Sequence, residues 1–185
     1  MRFGKKGSLE KSKLSSLQLT KRLEDLFVQG DPKREIKKIK AEFAVLGTDT
    51  EVYLCYVVLY LVGLREAFRL GRLPIRPSMA RKVSKTLEES LLGGQHPFGL
   101  LSMDPDAVHK RFKEISDTLL AVWEEARGEA PGSDWAAAKE ICFILNGRDK
   151  EPPPGLIFRF SSLATNYLTS IQSLLKKIAE DKGRV

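Results

Sequence analysis

Five arginines follow one another closely at the end of the most apolar stretch of the sequence and just beyond it. They are Arg65, Arg69, Arg72, Arg76 and Arg81. The first three are spaced by four and three residues, so a helix places them on one side. Arginine donates forked hydrogen bonds that match carboxylate and phosphate oxygens. The spacing therefore predicts a surface that binds an acidic or anionic partner.

The last two of these arginines flank the predicted start of a helix. Arg76 precedes Ser78, which we expect to be the N-cap, and Arg81 follows three residues later. Free backbone N–H groups at such a start attract anions, so the two side chains and the helix end together suit a phosphate or carboxylate. In a competing interpretation, the arginines form salt bridges with the fifth predicted helix, and arginine suits both roles. The carboxylates available there are Asp117, Glu124 and Glu125.

A row of tyrosines runs directly into the arginine row. Tyr53, Tyr56 and Tyr60 are spaced by three and four residues. One interpretation is an aromatic pocket, or a platform on which bases stack, beside Arg65 and Arg69. The other is a face of the core whose hydroxyls reach a wet rim or a buried partner. Aromatic residues at helical spacing favour packing, so we expect the second.

No other residues have the spacing of a catalytic or metal-binding motif. His96 and His109 lack a cysteine, histidine or carboxylate at metal-ligand spacing. Cys55 and Cys142 lie in apolar runs and are expected to be reduced thiols of a cytoplasmic protein. We therefore expect no metal, no cofactor and no enzymatic activity. A catalytic site assembled from residues distant in the sequence is the remaining alternative.

The positive charge is concentrated at the beginning of the chain. The formal net charge is +7, and residues 1–40 hold twelve Lys or Arg but only five Asp or Glu. The rest of the chain holds nineteen of each. Such a basic block attracts nucleic acid or an acidic protein face. Residues 1–13 are rich in lysine and glycine and poor in apolar residues, which predicts a basic, flexible tail.

The most apolar segment is the predicted centre of the fold. The thirteen residues between Glu51 and Arg65 carry no charge. As a helix they span roughly 20 Å, whereas the hydrocarbon core of a bilayer is about 30 Å thick. The segment is therefore predicted to be a buried helix over residues 49–70 and not a transmembrane segment. Thr48 and Glu51 have the spacing of a capping box at its start.

Capping residues and glycines divide the remaining chain into helices joined by short connections. No segment shows the alternation typical of a strand. We predict an all-α, single-domain bundle of about seven helices around the central apolar helix, with the domain covering residues 14–182. The predicted helices span about 15–29, 32–46, 49–70, 79–92, 105–127, 135–146 and 156–181.

The last predicted helix has an unusual surface. From Phe160 to Leu175 it carries no charge, and one side is made of serine, threonine and asparagine. Surface helices normally carry Lys and Glu there, so we expect this side to be covered, either by the bundle or by a second copy of the chain. A homodimer through residues 156–181 is the second of these options. The predicted apolar stripe is Leu163, Tyr167, Ile171, Leu174 and Ile178.

Together these features predict a non-enzymatic, cytoplasmic helical interaction or regulatory protein. Its basic surfaces would bind an acidic or anionic partner, which we expect to be a protein. One alternative is a nucleic-acid-binding protein that uses the same surfaces. A second alternative is a small-molecule sensor whose pocket is the tyrosine face.

Overall fold

The computed structural model describes residues 15–70, 75–93, 104–130 and 132–183. In these ranges the chain forms seven helices and no strand, which confirms the predicted all-α bundle. The predicted tail, residues 1–13, lies outside the described residues, as does Arg72. The helices are α1 (Ser16–Gln29), α2 (Pro32–Glu42), α3 (Asp49–Arg69), α4 (Pro77–Leu92), α5 (Pro105–Glu125), α6 (Ser133–Asn146) and α7 (Pro154–Gly183).

Side-chain caps fix the start of most of the early helices. Thr48 accepts a hydrogen bond from the backbone N–H of Glu51 at 3.1 Å, and the Glu51 carboxylate accepts one from the Thr48 N–H at 3.1 Å. This is the predicted capping box of α3. Asp31 and Asp104 cap α2 and α5, and each is followed by a proline at the first helical position. Proline suits that position because it has no N–H to satisfy there.

The start of α4 and the end of α2 differ from the prediction. α4 begins at Pro77, so Arg76 and not Ser78 is its N-cap, and no side chain caps it. Proline suits the first helical position, and α4 therefore begins two residues earlier than the start predicted from a Ser78 cap. α2 ends at Glu42, because Phe43 has an extended backbone with φ −130°.

The start of α6 differs for a tertiary reason. Gly132 is the N-cap, and neither Ser133 nor Asp134, which precede the predicted start at residue 135, caps the helix. The Ser133 hydroxyl instead donates to the backbone carbonyl of Trp123 on α5 at 2.8 Å. The Asp134 carboxylate accepts a hydrogen bond from Ser161 on α7 at 2.7 Å. Both side chains therefore join α6 to its neighbours instead of closing its own first turn.

α3 lies at the centre of the bundle, as predicted. It packs against α2, α4, α5, α6 and α7, and most of its side chains are buried. Gly63 allows close contact with α7, because a Cβ there would lie 3.5 Å from the backbone nitrogen of Leu168. None of the helices in the described ranges is long and apolar enough to cross a membrane.

α7 packs on both α3 and α6, so it buries a broader face than the predicted stripe. Leu163 and Leu174 are only half-buried. Part of the uncharged polar side is covered within the chain, since Ser161 and Thr165 both donate to Asp134 of α6. The buried positions include Leu156, Phe160, Ala164, Tyr167, Ile171, Leu175 and Ile178.

Candidate partner-binding site

A groove opens between α4 and α5, above α3. Both helices pack on α3 but make little contact with each other. The groove has a volume of about 400 Å³, and we call it the α3–α4–α5 groove. Arg65 and Arg81, two of the predicted binding residues, line it together with Glu88. Its apolar lining is Val58, Leu61, Val62, Phe68, Phe112 and Leu120.

Arg65 and Arg69 belong to a charge network at the junction of α3 and α5. Arg65 lies 3.5 Å from Glu124, and its side chain is 62% exposed. Arg69 donates from Nε and Nη2 to the Glu66 carboxylate. Arg127 links the two carboxylates, at 3.3 Å from Glu66 and 2.5 Å from Glu124. The salt-bridge interpretation thus describes part of the row, although the partner of Arg69 is on its own helix.

Burial of the carboxylate partner makes Arg69 and Arg65 differ in how firmly each guanidinium is held. Glu66 is only 8% exposed. The hydrogen bond from Arg69 lowers the pKa of Glu66, and the charges of Arg69 and Arg127 add to this effect against the opposing effect of burial. Arg69 is therefore held by a buried carboxylate that is ionised at neutral pH. Among the described residues, Arg65 forms only a long, exposed ion pair with Glu124, which is a weak interaction in water, so its guanidinium is free to bind another anion.

Arg76 and Arg81 lie at the first turns of α4, and both are exposed. Neither has a carboxylate within ion-pair distance in the part of the chain that the structure describes. The backbone carbonyl of Arg76 accepts hydrogen bonds from Met79 and Ala80 as α4 begins. The predicted arginine surface is thus divided. Arg65 and Arg81 line the groove. Arg76 is the N-cap of α4 and does not line the groove, and Arg69 belongs to the charge network.

The tyrosine row lies inside the core. Tyr53, Tyr56 and Tyr60 are each at most 1% exposed. The Tyr53 hydroxyl donates to the backbone carbonyl of Leu91 at 3.0 Å, and the Tyr60 hydroxyl donates to that of Leu23 at 2.6 Å. Burial raises the pKa of all three phenols, so they are neutral donors. The tyrosines therefore form a face of the core, and two of their hydroxyls join α3 to the backbones of α4 and α1.

The apolar lining of the groove has no distinct pattern in the sequence. Phe112 and Leu120 lie on α5 at a spacing of eight residues, and Phe112 is one of the buried residues of this helix. Leu120 is only partly buried, and periodicity alone does not separate such a position from the core. The groove exists because α4 and α5 diverge, and that is a property of helix packing between distant segments.

The described residues contain no group of three or more His, Cys, Asp or Glu side chains that could hold a metal ion. Burial raises the pKa of Cys142 to about 12 and that of Cys55 further, so both thiols stay protonated. The chain matches no protein-family model, and no curated protein or solved structure is significantly similar to it.

Proposed function

We propose that this chain is a non-enzymatic interaction protein that holds an acidic, amphipathic segment of a partner protein in the α3–α4–α5 groove. The observation that carries the proposal is the combination of an apolar lining with exposed arginines at the same groove. Arg81 has no carboxylate partner among the described residues, and Arg65 has only a weak one.

The apolar lining favours a helical ligand. A groove between two helices accepts the apolar face of a third helix, with anchors at spacings of three, four and seven residues. The lining here comes from three helices, and Leu61, Phe68 and Leu120 are only partly buried by the chain itself. A partner that inserts apolar side chains would remove this surface from water, which is the main favourable contribution to most protein association.

The charges along α4 favour one orientation of the partner. Arg81 and Glu88 lie seven residues apart on α4 and both line the groove, so they are about 10 Å apart along the helix. Burial raises the pKa of Glu88, and the neighbouring Glu89 adds to the effect. An acidic residue of the partner is thus favoured near Arg81 and Arg65, and a hydrogen-bond donor is favoured near Glu88.

The test is an affinity purification from nuclease-treated lysate with three versions of the chain. They are the wild type, the groove variant Arg65→Gln/Arg81→Gln, and the matched control Lys33→Gln/Lys37→Gln, which removes the same charge from the exposed side of α2. We expect a protein that is recovered by the wild type and the control but not by the groove variant. Equal recovery by all three versions would place binding elsewhere.

A nucleic-acid ligand is the second candidate, and the outer side of α2 favours it. Lys33, Arg34 and Lys37 are exposed and form no ion pair within the described ranges. Lysines and arginines free of carboxylates bind phosphates and release counterions. If RNA or DNA is recovered without nuclease, and the Lys33→Gln/Lys37→Gln variant loses it, this candidate replaces the groove as the main function.

A further inference from the structure

A second cleft lies on a different part of the bundle, where the end of α1 and the start of α2 face α7. Its volume is about 580 Å³, which is within the usual range of small-molecule sites. It shares no lining residue with the α3–α4–α5 groove. We call it the α1–α2–α7 cleft. Its lining includes Gln29, Gly30, Ser162, Asn166, Tyr167 and Ser170.

A buried hydroxyl with no hydrogen-bond partner among the described residues lies in the lining of this cleft. Tyr167 is 6% exposed, and its ring packs against Tyr60 and Phe27. The hydroxyl end lies beside Gly30, at 4.0 Å from the position of a Cβ on that residue. Tyr60 donates to a backbone carbonyl, but Tyr167 has no hydrogen bond within the described residues. Buried polar groups normally have a partner, so this donor suits a ligand acceptor.

One wall of the cleft carries three charges. The Glu35 carboxylate accepts hydrogen bonds from Lys38, at 2.8 Å, and from Arg159. Burial tends to raise the pKa of Glu35, but the two cations together lower it below its usual value. Two cations thus share one ionised carboxylate. Lys38 and Arg159 keep 41% and 39% of their side chains exposed, so donors remain for a further anion.

The uncharged side of α7 supplies further polar lining. Ser161 and Thr165 are bound to Asp134, whereas Ser162, Asn166 and Ser170 face the cleft. Hydroxyl and amide groups form hydrogen bonds with neutral oxygens of a ligand. A cationic ligand is disfavoured by the net positive charge of the wall.

We propose that the α1–α2–α7 cleft binds a small, oxygen-rich organic anion. Its carboxylate or phosphate accepts hydrogen bonds from Lys38 and Arg159, a second oxygen accepts one from Tyr167, and its polar body contacts Ser162 and Asn166. The small-molecule site is therefore placed here, and not on the tyrosine row of Tyr53, Tyr56 and Tyr60. The proposal does not depend on what binds the α3–α4–α5 groove.

The test uses citrate as the carboxylate probe and adenosine 5′-monophosphate as the phosphate probe. Thermal unfolding and calorimetric titration of the full chain are measured with each probe, and with sodium chloride at the same ionic strength. We expect at least one probe to raise the unfolding temperature above the chloride value and to bind one molecule per chain. The probe that binds distinguishes a carboxylate ligand from a phosphate ester.

Three variants connect this binding to the cleft. Tyr167→Phe removes only the hydroxyl, so it should weaken probe affinity about fivefold to tenfold. It should leave the unfolding temperature without a probe unchanged or higher, because the hydroxyl has no hydrogen bond to lose in the part of the chain that the structure describes. Asn166→Ala changes an exposed lining residue and should also weaken binding. The control Tyr60→Phe loses its bond to Leu23, so it should unfold about 2–4 °C lower while its probe affinity stays unchanged.

Three results would overturn the proposal. In the first, neither probe stabilises the wild-type chain beyond the chloride control. In the second, a probe binds but Tyr167→Phe and Asn166→Ala bind it as tightly as the wild type. A lower unfolding temperature of Tyr167→Phe without any probe would also count against it, since that loss would show that the hydroxyl already has a partner inside the protein.

Discussion

At the scale of single residues, burial decides which charged groups are free to bind. Glu66 is buried, so the chain keeps it ionised with two arginines, and Arg69 is consequently held in place. Arg65 and Arg81 are exposed and face no buried carboxylate among the described residues. A buried charge that loses its partner is costly, whereas an exposed ion pair contributes little. The arginines of one short segment therefore differ in role.

The pH dependence of stability should report the Glu66 network. Glu66→Gln keeps the size of the side chain but removes its charge, and at pH 7 we expect it to lower the free energy of unfolding by about 1–3 kcal/mol. The pKa of Glu66 is lowered by folding from its ordinary value of 4.5, so its stabilisation is complete above that value. The stabilisation is lost as the pH falls through the folded-state pKa.

Urea unfolding of wild type and Glu66→Gln between pH 3 and pH 7 checks this expectation. The difference between the two proteins should shrink at the acidic end. Glu125→Gln is the matched control, because Glu125 is exposed and has no ion pair within the described residues. A difference that is the same at every pH would mean that the charge of Glu66 is not what stabilises the fold.

Truncation in the tyrosine row should cost more stability than truncation in the arginine row. Tyr56 is 1% exposed and its ring packs edge-on against Phe160 at 6.1 Å. Tyr56→Ala should cost about 3–5 kcal/mol of unfolding free energy, since it leaves a cavity. Arg69→Ala should cost less, because Arg127 still faces Glu66. Chemical denaturation of both variants decides the order, and equal losses would place Tyr56 outside the core.

At the scale of helices, local signals and tertiary contacts determine different features. The capping box of Thr48 and Glu51 and the Asp31 cap involve residues three positions apart, so they can be predicted from the sequence. The start of α6 could not be predicted in this way, because the side chains of Ser133 and Asp134 form hydrogen bonds with other helices. Side chains that serve as caps are also good partners for distant groups, and the choice depends on what packs nearby.

The contact between α3 and α7 should depend on the size of residue 63. A Cβ at Gly63 would lie 3.5 Å from the backbone of Leu168, which is an ordinary contact distance. Gly63→Ala should therefore be tolerated, since alanine also favours helix. Gly63→Leu would push α7 away from α3 and should cost about 1–3 kcal/mol. Thermal unfolding of the two variants provides the measurement, and equal stability would mean that α7 is not held this closely.

At the scale of the whole molecule, the sequence predicts the fold better than the site. The bundle and its centre follow from the apolar α3, which the chain must bury on all sides. The arginines could be found from their spacing, but their division between groove and network could not. That division depends on Arg127 and Glu124, which reach α3 only after folding. The α1–α2–α7 cleft depends likewise on contacts between the two ends of the described chain.

Binding at the α3–α4–α5 groove and binding at the exposed side of α2 should depend differently on salt, because the two surfaces place their charges in different surroundings. In the α3–α4–α5 groove, arginines lie beside an apolar lining, where a bound partner excludes water and ions. On α2, lysines are exposed to solvent and attract ligands through screened, non-directional forces. We therefore expect Arg65→Gln/Arg81→Gln to weaken binding of the purified protein partner by a factor that persists between 50 and about 300 mM salt. Lys33→Gln/Lys37→Gln should mainly slow association, and that effect should fade as salt is added. Surface plasmon resonance across the salt series measures the association and dissociation rates. The proposal for the groove fails if the effect of Arg65→Gln/Arg81→Gln fades with salt while the effect of Lys33→Gln/Lys37→Gln persists.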